Sequence, residues 1–366
     1  MNKIYRRWAC GFLAALLALL SLCAGVVYTV DPCLYYRIPA RWQPVFFNER
    51  YQSAGMIRNV PADTVILGTS MAANYRASRA EAVFGGRALR ITIPDGYYSE
   101  FDQAVDLIFR TGRPRRVIFG LDLNVLIRDE SGLTGAMPDY LYDQNPLNDV
   151  KYLLNKDSLY YCFYTLMTSR QGGGRTLDEG FTWDKESAWG RYETLRTYRR
   201  PDPVETALPA GSYLDNVDGN LAVLGSWLRE HPDTEFHLFL PPYSILYWDR
   251  AIRKGELEAR FAALERACRT LLSYDNARLY GFLFDGETVT GLNHYCDYIH
   301  HSEEVCAGVL SDIAAGKSLL TAENLEEALA QWREFVINYD YESIWDQDFW
   351  DQWNATHDAP PVWYEG

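Results

Sequence analysis

Five short stretches of the chain are apolar at most positions: Thr64–Leu67, Leu89–Ile93, Arg116–Phe119, Glu235–Leu240 and Ala277–Phe282. Unbroken apolar runs of this length are the mark of parallel strands covered on both faces. Between most of them lie stretches with helical spacing: Met71–Val83, Glu100–Phe109, Leu221–Glu230 and Leu257–Leu272. A further helix is predicted over Glu303–Ala315, with Ser302 as its cap and two acids in the first turn. Strand and helix in alternation predict an α/β protein built on an open, doubly wound parallel sheet.

Three stretches depart from that alternation. The first is the uncharged run from Ala9 to Val30, preceded by Lys3, Arg6 and Arg7. Its residues, at about 1.5 Å each, reach roughly 33 Å, enough for a bilayer core. The basic residues place the N-terminus in the cytoplasm and the rest of the chain outside. A cleaved signal peptide competes with this reading. The length of the run, and the poor cleavage site around Ser21-Leu22-Cys23, favour an uncleaved single-pass anchor over residues 1–31 in the cell membrane. The second departure is the segment 129–216, rich in Tyr, Gly and Asp, with helical pieces around Asp149–Thr165. It reads as an insertion into the body at 32–337, either a cap over the site or a subdomain. The third is the acidic, aromatic tail 338–366, which carries Trp345, Phe349, Trp350, Trp353 and Trp363. A tail packed back on the body is favoured over an aromatic platform for sugars or a partner.

Composition narrows the classes. The chain has 366 residues, 48% of them hydrophobic and 23% charged, ordinary for a globular core. A net charge of −14 excludes nucleic acid as a partner, since that affinity rests on basic residues. It equally excludes a polybasic attachment to membranes. The seven cysteines show no CxxC or metal-ligand spacing. Most read as small buried hydrophobes, and an oxidising compartment leaves room for a pairing of Cys296 with Cys306 that spacing does not decide. The six histidines carry no HExxH, and Gly172–Gly174 lacks the GK[ST] of a phosphate loop. No metal and no cofactor is expected.

The candidate chemistry begins at "TVILGTSMAANY", Thr64 to Tyr75, where an apolar strand stops at Gly68 and Ser70 follows. In an open α/β sheet, ligands sit at the carboxyl ends of the strands. Ser70 lies at such an end, beside a helix start that offers free N–H groups to an oxyanion. A serine needs a histidine to take its proton and an acid to orient that histidine. Both occur in "NHYCDYIHHSEEV", where Asp297 and His300 are spaced D-x-x-H before the last helix of the body. Each piece alone also reads as capping: Ser70 as a helix cap, Asp297 as a turn residue. His301 and His294 compete with His300.

A serine after the first strand and D-x-x-H after the last one resembles the order of the SGNH/GDSL hydrolases. "VILGTSMAANYRAS" is similar to the nucleophile block of their membrane-anchored envelope branch, the DltD-like teichoic-acid D-alanylation proteins and the alginate-acetylation proteins. "VIFGLDLN" (Val117–Asn124) and "LFLPPYS" (Leu238–Ser244) also resemble blocks of that group. The likeness runs in pieces from Thr64 to Ala314 and omits the insertion and the tail. It implies a flavodoxin-like three-layer α/β/α sandwich with a five-stranded parallel sheet. It further implies ester chemistry on acyl groups, with Ser70, Asp297 and His300 as catalytic triad. The usual GDSL spelling is absent, with Thr69 in place of its Asp, and so is the Gly-x-Asn-Asp block. Asn124 sits where the oxyanion asparagine belongs, and Gly96 in "IPDGYYSEF" is the candidate glycine donor, although Asp95-Gly96 reads equally as a turn. The expected activity is that of an esterase or O-acyltransferase on a bacterial envelope polymer or exopolysaccharide, with room for a membrane acyltransferase as partner. The alternative is a non-catalytic SGNH-fold partner or glycan-binding protein in an envelope-assembly complex.

Overall fold

The computed structural model describes residues 3–130, 132, 137–357 and 359–361. The chain forms two compact units, one of Met1–Pro61, Gln103–Gly112 and Gly135–Phe181, the other of Ala62–Asp102, Arg113–Thr134 and Thr182–Gly366. Of the segment 129–216, only Gly135–Phe181 belongs with the N-terminal residues; the stretches before and after it belong with the sheet.

The first unit opens with a helix over Lys3–Val30, long and apolar enough to cross a membrane, as a signal sequence also is. Asp31 follows it with a positive φ of 50°. Its carboxylate turns the chain by accepting the N–H groups of Tyr35, Tyr36 and Arg37 and the Tyr152 hydroxyl. Burial pushes the Asp31 carboxyl above its usual range, against the pull of those four donors. A helix over Glu49–Asn59 is capped by Asn48, and one over Lys156–Arg170 by Asn155.

The second unit holds a six-stranded sheet. Its strands are β1 (Thr64–Gly68), β2 (Ala88–Thr92), β3 (Arg116–Gly120), β4 (Glu235–Leu240), β5 (Ala277–Gly281) and β6 (Leu319–Leu320). They lie in the order β2-β1-β3-β4-β5-β6. The first five are parallel, within a residue of the stretches expected from the sequence. The sixth, antiparallel to β5, corrects the expected five-stranded, flavodoxin-like sheet. Two residues are too few to carry any periodic signal, which is why β6 is invisible in the sequence. Ile66, Ile118, Phe239 and Tyr280 face a layer made by the helices Ala77–Phe84 and Glu303–Ala315. On the opposite face Phe119 meets Phe101 and Trp227. Both faces are thus covered, as the apolar strands require. Ser302 caps the helix Glu303–Ala315 by accepting the Val305 N–H, with Glu303 and Glu304 in its first turn.

The tail folds onto its own unit. Phe349 is wholly buried, Trp345 and Trp353 nearly so, and Trp345 stacks on Tyr198. Trp363 lies outside the described residues. All seven cysteines are free thiols, Cys296 and Cys306 among them.

Candidate active site

In this strand order β1 is flanked by β2 on one side and β3 on the other, so the chain changes direction across the sheet there. The carboxyl ends of β1 and β3 form the crevice where such folds bind ligands. β1 ends at Gly68 because the chain turns hard. A Cβ on Gly68 would stand 2.9 Å from the Ala72 Cβ, closer than carbon atoms approach. The turn is a single 3-10 segment, Ser70–Ala72, not the start of a long helix as expected from the sequence. The α-helix begins only at Ala77. Asn74 occupies the gap, its side-chain carbonyl accepting the Trp183 N–H at 3.2 Å.

Thr69, not Ser70, caps this turn. Its hydroxyl accepts the Met71 N–H at 3.3 Å and donates to the Asp122 carboxylate at 2.8 Å. Ser70 itself is half-buried. Ser70 Oγ lies 2.8 Å from His300 Nε2, and His300 Nδ1 lies 2.6 Å from Asp297 Oδ2. Asp297 also accepts the backbone N–H groups of Ile299 (2.9 Å) and His300 (2.7 Å) through its other oxygen. The D-x-x-H spacing is thus a closed turn: one carboxylate caps the backbone and reaches the ring three residues on. Burial works to raise the pKa of Asp297, but the His300 ring and the two backbone donors outweigh it and hold it below its ordinary 3.8. An ionised carboxylate only accepts, so Nδ1 carries the ring proton and Nε2 is free to accept from Ser70.

The loop that carries the pair is fixed at several points. Tyr295 and His301 form an antiparallel bridge across its base. Ser244 donates to the Tyr298 carbonyl at 2.6 Å, and Tyr295 donates to the Pro242 carbonyl at 2.9 Å. Both anchors come from the turn after β4. Asp122, after β3, accepts from Tyr243 at 2.6 Å as well as from Thr69. The three separated blocks around Ser70, Asp122 and Tyr243–Ser244 therefore meet at one sheet edge.

The competing histidines are placed elsewhere. His301 is buried against the Tyr75 hydroxyl, 3.3 Å away, and burial drives its pKa down to about 3, so it is neutral. His294 is half-buried, with Glu304 at 3.9 Å. Gly96 donates its N–H to the Ile93 carbonyl, closing the turn anticipated as the plainer reading. Asn124 has its carbonyl edge engaged by Arg260 at 3.1 Å, which turns its donor edge away from that residue. In the Ser70 turn the Met71, Ala72 and Ala73 amides are all used by Thr69 or Ser70 oxygens. Among the described residues Ser70's own N–H has no partner.

One neighbour was not singled out in the sequence. Trp183 stands edge-on to His300, ring centroids 4.9 Å apart, and stacks on Trp189 at 5.7 Å. The Arg76–Asp184 ion pair at 3.2 Å and the Trp189–Asp184 bond hold this segment in place. Only the aromatic richness of the segment hinted at such a role.

No protein-family model matches the chain, and no curated protein does. Among solved structures it aligns with a protein from Streptococcus pneumonia provisionally described as a platelet activating factor. That alignment covers 73% of this chain and 89% of the other, with 10% identity and a TM-score of 0.39.

Proposed function

We propose that this protein is a serine-dependent esterase or O-acyltransferase of the SGNH kind. The observation that carries the reading is the continuous relay from Ser70 through His300 to Asp297, at 2.8 and 2.6 Å. Ser70 Oγ attacks the carbonyl carbon of an acyl ester while His300 Nε2 takes its proton. His300 then returns that proton to the leaving alkoxide, and the acyl group remains on Ser70. Water or a sugar hydroxyl, deprotonated by the same nitrogen, releases the acyl group and regenerates Ser70. Asp297 keeps the ring in the tautomer that makes this work and stabilises the imidazolium. Ser70's own N–H and the Asn124 amide are the donors we assign to the oxyanion. Trp183 shields one side of His300 from water.

The substrate class we assign is an acyl ester of a bacterial envelope polymer or exopolysaccharide, met outside the cytoplasm by a chain anchored through Lys3–Val30. A binding partner that had only kept the fold would have no need of an aligned relay, which favours the enzymatic reading. The test is hydrolysis of p-nitrophenyl acetate, with acylation of the envelope polymer in cells as the companion assay for a transferase. Ser70→Ala should lose at least about a thousandfold in the rate that wild type shows. Equal activity in wild type and Ser70→Ala, in both assays, would reduce Ser70 to a turn residue and favour the binding role.

A further inference from the structure

The helix Lys156–Arg170 is built inside out. Its buried positions are the small residues Ser158, Cys162 and Thr165. Its exposed positions include Tyr160 (60%), Phe163 (65%), Tyr164 (45%), Leu166 (41%) and Met167 (38%). No charged residue occurs between Asp157 and Arg170. A helix on a water-soluble surface turns its large apolar side chains inward. In a membrane the preference reverses, with small residues at helix contacts and large apolar ones toward lipid.

A second observation says what covers this face. The same helix packs against the apolar helix Lys3–Val30 within the first unit. On that long helix the covered positions are Cys23, Ala24, Val27 and Val30, a stripe at helical spacing confined to its C-terminal end. The inside-out helix therefore sits beside the end at which a membrane-spanning helix leaves the bilayer. Its uncharged stretch, Ser158 to Ser169, reaches only about 18 Å, too short to cross and suited to an interfacial position. Tyrosines belong at that depth, and Lys156 and Arg170 at its two ends suit lipid phosphates.

We propose that the Lys156–Arg170 helix is a second membrane contact, lying in the outer-leaflet interface with Tyr160, Phe163, Tyr164, Leu166 and Met167 against phospholipid acyl chains. This rests on the reading of Lys3–Val30 as an uncleaved anchor. The test places p-benzoylphenylalanine, one position at a time, at Phe163, Met167, Leu17 and Glu265 of the full chain in intact bacterial membranes. After irradiation, adducts are identified by mass. Leu17 reports on the anchor itself, and Glu265, exposed on the second unit, reports on solvent. Positions 163 and 167 should gain the mass of one phospholipid, as position 17 does, while position 265 should not. Polypeptide adducts at 163 and 167, or none, with lipid still captured at 17, would overturn the proposal while leaving the anchor intact. Loss of lipid capture at 17, or a mature chain lacking residues 1–31, would overturn the anchor reading and this one with it.

Discussion

Exchanging Thr69 for valine should separate the architecture of the turn from its chemistry. Thr69 is 2% exposed, so the nearly isosteric valine fits the space and removes only the hydroxyl. Two bonds go with it: the cap to the Met71 N–H and the donation to Asp122. A lost cap costs about 1 kcal/mol. A lost bond to a charged acceptor costs about 1.5–3 kcal/mol. Asp122 keeps the Tyr243 hydroxyl and the Asn124 N–H, so its charge is not stranded. The sum is about 2.5–4 kcal/mol, a fall in Tm on the order of 10 °C for a unit of this size. Ser70→Ala, in contrast, removes one partly exposed bond to His300 and should stay within about 1 kcal/mol of wild type. Turnover should rank the other way. Ser70→Ala abolishes it, while Thr69→Val loses about a hundredfold or less through a displaced nucleophile. Thermal unfolding followed by circular dichroism, beside p-nitrophenyl acetate hydrolysis, gives both orders. A Ser70→Ala protein less stable than Thr69→Val would refute the reasoning, because Ser70 would then be the cap.

Two further predictions bear on the loop that carries His300. His301, driven down to about 3 by burial, is neutral in the folded chain but takes up a proton near its ordinary 6.5 when unfolded. Between those values the unfolded chain binds more protons, so stability falls as pH falls, by up to about 1.4 kcal/mol per pH unit. His301→Gln should flatten that loss between about pH 6.5 and 4 in urea titrations; an unchanged slope would show that His301 is already charged in the fold. Removing the Ser244 anchor with Ser244→Ala should cost about 1–3 kcal/mol and lower kcat more than it raises KM, because it frees the Tyr298 carbonyl and with it the placement of His300. A KM effect alone would assign Ser244 to substrate binding instead.

The five parallel strands were legible because each is a short apolar run, and such runs have few other uses. The triad candidates were legible because Ser70 follows the first run and Asp297 and His300 precede the last body helix. Much of what supports them was not. Thr69 meets Asp122, and Asp122 meets Tyr243, across long separations in sequence that only the sheet order brings together. Spacing favoured His300 but left His301 as a competitor; the structure separates them, with His300 between Ser70 and Asp297 and His301 buried against Tyr75. The helix expected from Met71 starts late because Asn74 is held by the Trp183 backbone, and no local pattern encodes a bond to a residue so far along the chain. The division of the segment 129–216 is likewise a matter of which neighbours each part finds. The inside-out pattern of Lys156–Arg170 is written in the sequence, but its meaning depends on the apolar helix beside it.

The central claim is that His300 makes Ser70 a nucleophile. A fluorophosphonate probe reads this directly, since it forms a covalent adduct with a serine whose proton is taken by a neighbouring base. The full chain in detergent should gain a single adduct, mapped by peptide mass spectrometry to Ser70. The rate of its formation should fall at least about a hundredfold in His300→Gln, which keeps the fold but offers no base. No adduct at Ser70, or the same rate in wild type and His300→Gln, would contradict the account.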